Sequence, residues 1–260
     1  MRPTVLYFAL LLSSASSAQD FLAYAKKEYV YEQGKTLPYR ILYPENYSKT
    51  KKYPLVLVLH GAGERGNNNE AQLTHGAKLF LQPENRKNFP AIVVFPQCPA
   101  ESFWASMKVD TTKRPYVIGF DYAGPPNWPL AAANSLVRKL IKDENADTSR
   151  IYITGLSMGG MGTFESVYRN PHLYAAALPI CGGADTTSYQ SWKGHTPFWI
   201  FHGASDAVVN ADLSRSMEKT LKAIDADVTY KEYPGVNHNS WDNAFAEPRF
   251  LLWMFQHRKP

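Results

Sequence analysis

A serine between glycines is the residue whose surroundings best suit nucleophilic chemistry. Ser157 lies in a G-x-S-x-G motif at residues 155–159, after an apolar run at 151–154 and before a helical pattern at 158–169. Between a strand and a helix, this motif predicts a sharp turn that exposes the serine hydroxyl. The glycines let the strand and helix backbones approach closely. The sequence therefore predicts that Ser157 is a nucleophile.

A serine nucleophile needs a base that takes its proton and an acid that orients the base. Asp206 follows an apolar run at residues 198–201, and His238 follows a strand-like segment at residues 228–233. The carboxyl ends of parallel strands meet at one edge of a sheet, so this order along the chain favours a shared site with Ser157. We therefore predict that His238 is the general base and Asp206 its orienting acid.

Other acids and histidines compete for these two roles. Asp185 and Asp212 are the alternative acids, although Asp212 is expected on a helix and Asp185 precedes a core strand. His195 and His202 are the alternative bases. His195 comes before the acid in sequence, and His202 stands at a strand end, where packing or loop capping is the simpler explanation.

A second small-residue turn suits the stabilisation of an oxyanion. The sequence H-G-A-G at residues 60–63 follows the apolar run at residues 55–59. Small residues let the backbone approach a tetrahedral intermediate, and backbone N–H groups are the usual donors to its oxygen. We predict that the N–H groups of Ala62 and Met158 form this oxyanion hole.

Strand-like runs alternate with helical patterns, which predicts an α/β fold built on a mostly parallel sheet with helices on both faces. An antiparallel hairpin is expected around Gly34, before the parallel strands. The predicted strands are residues 29–31, 37–43, 55–59, 91–95, 151–154, 175–180, 198–201 and 228–233, and the predicted helices are 130–142, 158–169, 211–224 and 248–256. Residues 98–128, rich in aromatics, Pro and Gly, show no clear period and are predicted to be an irregular, functional insertion.

The composition fits one folded domain that is exported. The chain has 260 residues, 45% of them hydrophobic, which suffices for one large core. Its net charge of +5 is spread among acidic residues, which favours solubility and argues against nucleic-acid binding. A charged start, a short apolar run and small residues predict a signal peptide at residues 1–18. We therefore expect residues 19–260 to form a single secreted or periplasmic domain without a membrane anchor.

The motifs together resemble a known group of enzymes. They are H-G-A-G-E-R-G at residues 60–66, P-Q-C-P at 96–99, G-L-S-M-G-G at 155–160, H-G at 202–203 with Asp206, and H-N-S-W at 238–241. The set resembles bacterial serine esterases of the phospholipase/carboxylesterase or "predicted peptidase" type. It resembles dienelactone hydrolases, polyhydroxybutyrate depolymerases and feruloyl esterases more distantly. The resemblance covers residues 39–256 and implies the α/β-hydrolase fold and ester hydrolysis, but not a particular substrate.

Aromatic residues give the only indication of a substrate. Trp104, in the insertion, and Trp241, three residues after the predicted base, are candidates for stacking on sugar or phenolic rings. Core packing is the alternative explanation. Together with the predicted export, these aromatic residues favour feruloyl or acetyl esters of plant polysaccharides as the substrates. A general short-chain carboxylesterase and a non-catalytic binding protein are the alternatives. No cofactor or metal is expected, and the sequence does not indicate an oligomeric state.

Two cysteines in an exported chain would ordinarily suggest a disulfide bond. In the expected sheet order, the strands before Cys98 and Cys181 are separated by two others. Three strand spacings are about 14 Å, whereas a disulfide requires Cα atoms within about 7 Å. We therefore predict two free thiols, buried near the floor of the site.

Overall fold

A central eight-stranded sheet organises the protein. The computed structural model describes residues 21–259. The strands of this sheet are β1 (Ala25–Val30), β2 (Thr36–Leu42), β3 (Leu55–Leu59), β4 (Ile92–Pro96), β7 (Ile151–Leu156), β8 (Ala176–Ile180), β9 (Phe198–Gly203) and β10 (Val228–Tyr233), and a separate two-stranded sheet holds β5 (Met107–Asp110) and β6 (Val117–Phe120). The large sheet runs in the order β1-β2-β4-β3-β7-β8-β9-β10. β2 pairs antiparallel with both β1 and β4, and the remaining neighbours are parallel.

The inner strands are apolar on both sides because each side is covered. Side chains alternate between the faces of a strand. In β3, Leu55, Leu57 and Leu59 enter one apolar cluster, whereas Val56 and Val58 enter the cluster on the opposite face. Two hydrophobic cores therefore sandwich the sheet, as continuous apolar runs predict.

Helices complete both cores. Their bounds are α1 (Ala77–Leu81), α2 (Pro83–Asn88), α3 (Trp128–Asp143), α4 (Met158–Arg169), α5 (Thr186–Tyr189), α6 (Asp212–Ala223), α7 (Trp241–Phe245) and α8 (Phe250–Gln256). α3, α4 and α6 contribute to one core, and α1, α7 and α8 contribute to the other. This arrangement confirms the predicted α/β-hydrolase architecture with its amino-terminal hairpin. The expected signal peptide lies outside the described residues.

The insertion between Cys98 and Trp128 contains order that the sequence prediction missed. β5 and β6 form an antiparallel hairpin within it. Buried Glu165 of α4 accepts hydrogen bonds from the Ser106 backbone N–H, at 2.5 Å, and from the Ser106 hydroxyl, at 2.8 Å. Asn127 donates a 2.8 Å hydrogen bond to the carbonyl of Ala105. These bonds fix the start of the hairpin beside the helix that follows Ser157.

Both cysteines are free and buried, as predicted. The sheet order places β3 and β7 between the strands that precede Cys98 and Cys181, which is the separation on which the prediction depends. Burial raises the pKa of both thiols above the ordinary range, so the folded protein should react slowly with a thiol reagent.

We expect thiol titration of the unreduced protein to find two reactive cysteines after denaturation and far slower reaction before it. The measurement uses a chromogenic disulfide reagent with and without guanidinium chloride. A count of zero in the denatured protein would contradict both the strand order and the free thiols.

The described residues contain neither a membrane-spanning helix nor a cluster of metal ligands. Among residues 21–259, no helix has the length and apolar content needed to cross a bilayer. Within the same residues, no group of three or more His, Cys, Asp or Glu side chains is arranged to hold a metal ion.

Candidate active site

The turn between β7 and α4 holds Ser157 in a strained backbone conformation. Its φ is 54° and its ψ is −118°, a conformation that L-residues with a side chain rarely adopt. A Cβ at Gly159 would lie 2.0 Å from the carbonyl oxygen of Leu59, and one at Gly155 would lie 2.4 Å from that of Gly159. Only glycine fits at either position. The close approach of α4 to β3 and β7 therefore presents the Ser157 side chain at the carboxyl edge of the sheet.

Ser157, His238 and Asp206 form one hydrogen-bonded line. His238 Nε2 lies 3.0 Å from Ser157 Oγ, and His238 Nδ1 lies 2.7 Å from Asp206 Oδ2. With a proton on Nδ1 donated to the carboxylate, Nε2 is free to accept the serine proton. The loops after β7, β9 and β10 thus bring together the three residues singled out by the sequence.

The surroundings of Asp206 keep it ionised. Its Oδ1 accepts hydrogen bonds from the N–H groups of Val208, at 2.8 Å, and Val209, at 2.9 Å. Its Oδ2 lies 3.2 Å from His202 Nε2 as well as beside His238. Burial alone would raise the pKa of Asp206, but hydrogen bonds from His202 and His238 outweigh it and hold that pKa well below its usual range. Asp206 is therefore a carboxylate at neutral pH.

The alternative acids and bases are engaged elsewhere. Asp185 caps α5 by accepting from two backbone N–H groups, and Asp212 pairs with Arg215 at 2.6 Å. His202 contacts Ser214 through Nδ1 and Val209 through Nε2. His195 lies beside His172, with ring centroids 6.4 Å apart. His202 Nε2 also lies 3.2 Å from Asp206, so His202 supports Asp206 from within the core. None of the four residues replaces His238 or Asp206 in the hydrogen bonds that begin at Ser157.

The predicted oxyanion donors begin two helical segments. Met158 is the first residue of α4, and Ala62 is the first residue of a 3₁₀ turn, Ala62–Glu64. N–H groups in the first turn of a helix have no partner within it, so they are available to an anion. Both residues line the cavity that contains Ser157 and His238. Their role as the oxyanion hole remains a prediction that this placement supports.

His60 anchors the Ala62 segment to the insertion. Its Nδ1 lies 2.6 Å from the Gly61 carbonyl, and its Nε2 accepts a 2.9 Å hydrogen bond from the Cys98 N–H. Trp104 Nε1 donates to the carbonyl of His60 at 3.1 Å. Nδ1 then carries the proton and Nε2 accepts, so the bonds of this imidazole suit its neutral form.

Acid should destabilise the protein through His60. Burial lowers its pKa from 6.5 to about 4, so between these values the unfolded chain binds a proton that the folded chain does not. Stability present above pH 6.5 is therefore lost as pH falls toward 4, by about 3 kcal/mol in total. His60→Gln retains an acceptor for Cys98 but does not titrate. Between pH 7 and pH 4, the free energy of unfolding measured in urea should fall less in this variant than in the wild-type protein. Equal falls in the two proteins would contradict the assignment of this pH dependence to His60.

A cavity of about 560 Å³ opens at the triad. Trp241 lines it, with its ring edge-on to His238 at a centroid distance of 5.3 Å. The hairpin supplies an apolar wall through Met107, Val109 and Ile118. A larger and shallower depression of about 680 Å³ lies elsewhere and contains none of the triad. The smaller cavity is therefore the candidate substrate site.

Trp104 does not line this cavity, contrary to the prediction. Its side chain is 0% exposed and packs edge-on against His60, with ring centroids 5.2 Å apart. A Cβ at Gly162 would lie 2.5 Å from Trp104 Cβ, so the tryptophan also fills the space that this glycine leaves. Trp104 is a core residue that supports the segment before Ala62 through its hydrogen bond to the carbonyl of His60.

Sequence reasoning missed several cavity residues. Besides the hairpin side chains, Glu64 and His75 line the cavity. Glu64 belongs to the quoted H-G-A-G-E-R-G motif, so its position was a usable signal. His75 lies in a segment without periodicity, and nothing in the sequence connects it to the triad.

Comparison with known proteins finds similarity to a hydrolase family and to esterases. The sequence profile of the dienelactone hydrolase family matches residues 129–249. The chain is 26% identical over 183 residues to a bifunctional acetylxylan esterase/xylanase from Neocallimastix patriciarum, covering 70% of this chain and 23% of that protein. It is 27% identical over 208 residues to a probable carboxylesterase from Oryza sativa subsp. japonica, covering 73% of this chain and 83% of that protein.

Solved structures show the same architecture. A thermostable esterase superposes with a TM-score of 0.79 at 36% identity, covering 91% of this chain and 64% of that one. A ferulic acid esterase from Anaeromyces mucronatus superposes with a TM-score of 0.62 at 16% identity, covering 88% and 89%. The chain thus spans 23% of the fungal bifunctional protein and 64% of the thermostable esterase. The fold, the turn at Ser157 and these likenesses show that the chain has the α/β-hydrolase fold and is similar to esterases.

Proposed function

We propose that the protein hydrolyses carboxylic esters through Ser157, with His238 as base and Asp206 as orienting acid. The observation that carries the proposal is the continuous line of hydrogen bonds from Ser157 Oγ through His238 to Asp206, at 3.0 and 2.7 Å, at the mouth of a cavity. The esterase relatives and the dienelactone hydrolase match support the same class of reaction.

The chemistry follows from this geometry. His238 Nε2 takes the proton of Ser157 as Oγ attacks the ester carbonyl, and Asp206 stabilises the charged imidazole. The N–H groups of Ala62 and Met158 are the proposed donors to the oxyanion. His238 then returns the proton to the leaving alcohol, which leaves an acyl group on Ser157. Water, activated by the same base, releases the acid and restores the serine.

Feruloyl or acetyl esters carried by plant polysaccharides are the proposed substrates. A cavity of about 560 Å³ is in the range that holds a ligand of many atoms, and its aromatic and apolar walls suit a phenolic acyl group. The relatives include an acetylxylan esterase/xylanase and a ferulic acid esterase. A general short-chain carboxylesterase is the second candidate, which the likeness to the rice protein favours.

A panel of esters separates these candidates. We expect turnover of 4-nitrophenyl acetate, which also distinguishes an enzyme from a non-catalytic binding protein. If the polysaccharide proposal is correct, acetylated xylan or methyl ferulate should have a higher kcat/KM than 4-nitrophenyl butyrate. A preference for the butyrate would favour the short-chain candidate, and no turnover of any ester would contradict the proposed function.

Export is part of the proposal. The pattern at residues 1–18 supports cleavage before Gln19 and a secreted or periplasmic enzyme. Amino-terminal sequencing of the protein produced in a secreting host tests this. A mature chain that still begins at Met1 would contradict it.

A further inference from the structure

Glu64 carries a carboxylate that the protein itself leaves without a hydrogen-bond donor. Its Oε2 is buried and has no partner among the described residues. Its Oε1 lies 3.7 Å from His75 Nε2, beyond hydrogen-bond distance. A covered acceptor without a donor is unfavourable. Rotation about the last side-chain bond exchanges the two oxygens at little cost, since that torsion is broad. A donor that arrives from the cavity can therefore reach the carboxylate.

This carboxylate lies next to the reacting groups. Its Oε2 is 3.0 Å from the position that a Cβ would take at Gly61, the residue before the proposed oxyanion donor Ala62. The His75 ring packs against Trp241 at a centroid distance of 5.0 Å, and Trp241 packs against His238 at 5.3 Å. Glu64, His75, Trp241 and His238 thus line one continuous side of the cavity.

This side is where the alcohol part of an ester must leave. His238 Nε2 delivers the proton to the departing alkoxide, so the alcohol oxygen lies beside that nitrogen when the bond breaks. The remainder of the alcohol then extends along the wall that borders His238. The apolar wall formed by the β5–β6 hairpin is left for the acyl group.

We propose that Glu64 and His75, with the ring of Trp241, bind an alcohol that carries free hydroxyl groups, as a sugar ring does. One hydroxyl donates to the Glu64 carboxylate, and a neighbouring hydroxyl pairs with His75 Nε2. The C–H face of the ring packs on Trp241. This inference rests on the proposed ester hydrolysis and names the alcohol class that the site selects.

A hydroxyl fits this pair better than an alkyl group. Hydroxyls both donate and accept, so adjacent ones satisfy a carboxylate and an imidazole together. An alkyl alcohol would cover the carboxylate without a donor, and sites built to bind a hydroxyl reject analogues that lack it. The mostly covered position of Glu64, whose side chain is 13% exposed, makes that penalty larger.

Two acetates with the same ring size test the proposal. One is a monoacetate of methyl β-xylopyranoside, which carries free hydroxyls, and the other is cyclohexyl acetate, which has none. The measured quantity is the kcat/KM for the xyloside monoacetate divided by the kcat/KM for cyclohexyl acetate. Glu64→Leu should lower this ratio about tenfold to a hundredfold, because a hydrogen bond to a charged group is lost. Glu64→Gln keeps one acceptor oxygen and should lower it less. His75→Phe keeps the ring beside Trp241 and should also lower it.

The control is Glu101→Gln, which removes the same charge from an exposed position in the insertion and should leave the ratio unchanged. An equal loss on both acetates in the Glu64 variants would mean that Glu64 only supports the oxyanion segment, and it would overturn the proposal. An unchanged ratio would overturn it too.

Binding of the free alcohol separates this inference from the proposed function. Methyl β-xylopyranoside is titrated into the full chain carrying Ser157→Ala, with and without Glu64→Leu, and followed by ligand-observed NMR. Weaker binding in the Glu64→Leu chain is expected, and it would support the subsite even if no ester were turned over. Absent binding, or binding of equal strength in both chains, would overturn the subsite while leaving ester hydrolysis to be judged by turnover alone.

Discussion

Ser157→Ala is expected to lower kcat for 4-nitrophenyl acetate by about a millionfold, with the fold unchanged. Removing the nucleophile of a serine triad removes the covalent route, and the residual rate comes from binding and the oxyanion donors. The hydroxyl of Ser157 donates one hydrogen bond, to His238 Nε2, so its loss leaves little unsatisfied. Steady-state kinetics and thermal unfolding of both proteins are the measurements.

Ser191→Ala is a matched control, because Ser191 is an exposed serine outside the cavity of the triad. It should retain the full rate. Wild-type activity in Ser157→Ala would remove this serine from the mechanism. An equally large loss in both variants would point to a general effect of serine replacement.

Asp206→Asn is expected to lower kcat by about 10⁴-fold. An asparagine amide facing His238 would donate a hydrogen bond where the carboxylate accepts one. The imidazole would then accept through Nδ1 and carry its proton on Nε2, so that Nε2 could no longer accept the proton of Ser157. The two N–H groups of Val208 and Val209 would keep an oxygen acceptor, so the loop itself should remain in place. The turnover of 4-nitrophenyl acetate gives the loss, and circular dichroism gives the fold.

The alternative acids provide the controls for this variant. Asp212→Asn breaks a surface ion pair with Arg215 and should change kcat less than twofold, since exposed pairs contribute little. Asp185→Asn weakens the cap of α5 and should affect stability more than rate. A large loss of kcat in either of these, with a normal rate in Asp206→Asn, would move the acid role away from Asp206.

The triad could be predicted from the sequence because each member has a local signal. Ser157 lies between glycines, as a tight strand–helix turn requires. The structure gives the reason, since a Cβ at Gly159 would lie 2.0 Å from the carbonyl oxygen of Leu59. Asp206 and His238 could be chosen because each follows a strand and because the chain order is that of the fold. The buried strands could be predicted because a continuous apolar run places apolar side chains on both faces of a strand, and such a strand is stable only where both faces are covered.

The insertion could not be predicted because its structure depends on distant partners. β5 and β6 have four residues each, too few for an alternation to be recognised. Their position is set by Glu165, on a helix 59 residues beyond Ser106. Trp104 was misplaced for the same reason, since its partners His60 and Gly162 lie far from it in sequence. A tryptophan in an aromatic-rich loop gives no local sign of which way it faces.

The cavity residues that remained unrecognised show the same limit. Glu64 stood in a quoted motif, but only the folded chain shows that its carboxylate lacks a donor and that His75 faces it. The short helices α1 and α2 were also missed, because five and six residues are too few for a helical period.

Labelling with a fluorophosphonate ester tests the central claim most directly, because this reagent forms a stable bond only with an activated serine. Intact-mass spectrometry and peptide mapping should find one adduct per chain, on Ser157, and no adduct in His238→Ala under the same conditions. An adduct on another residue, or an unlabelled chain that still hydrolyses esters, would contradict the assignment of Ser157 and His238 as nucleophile and base.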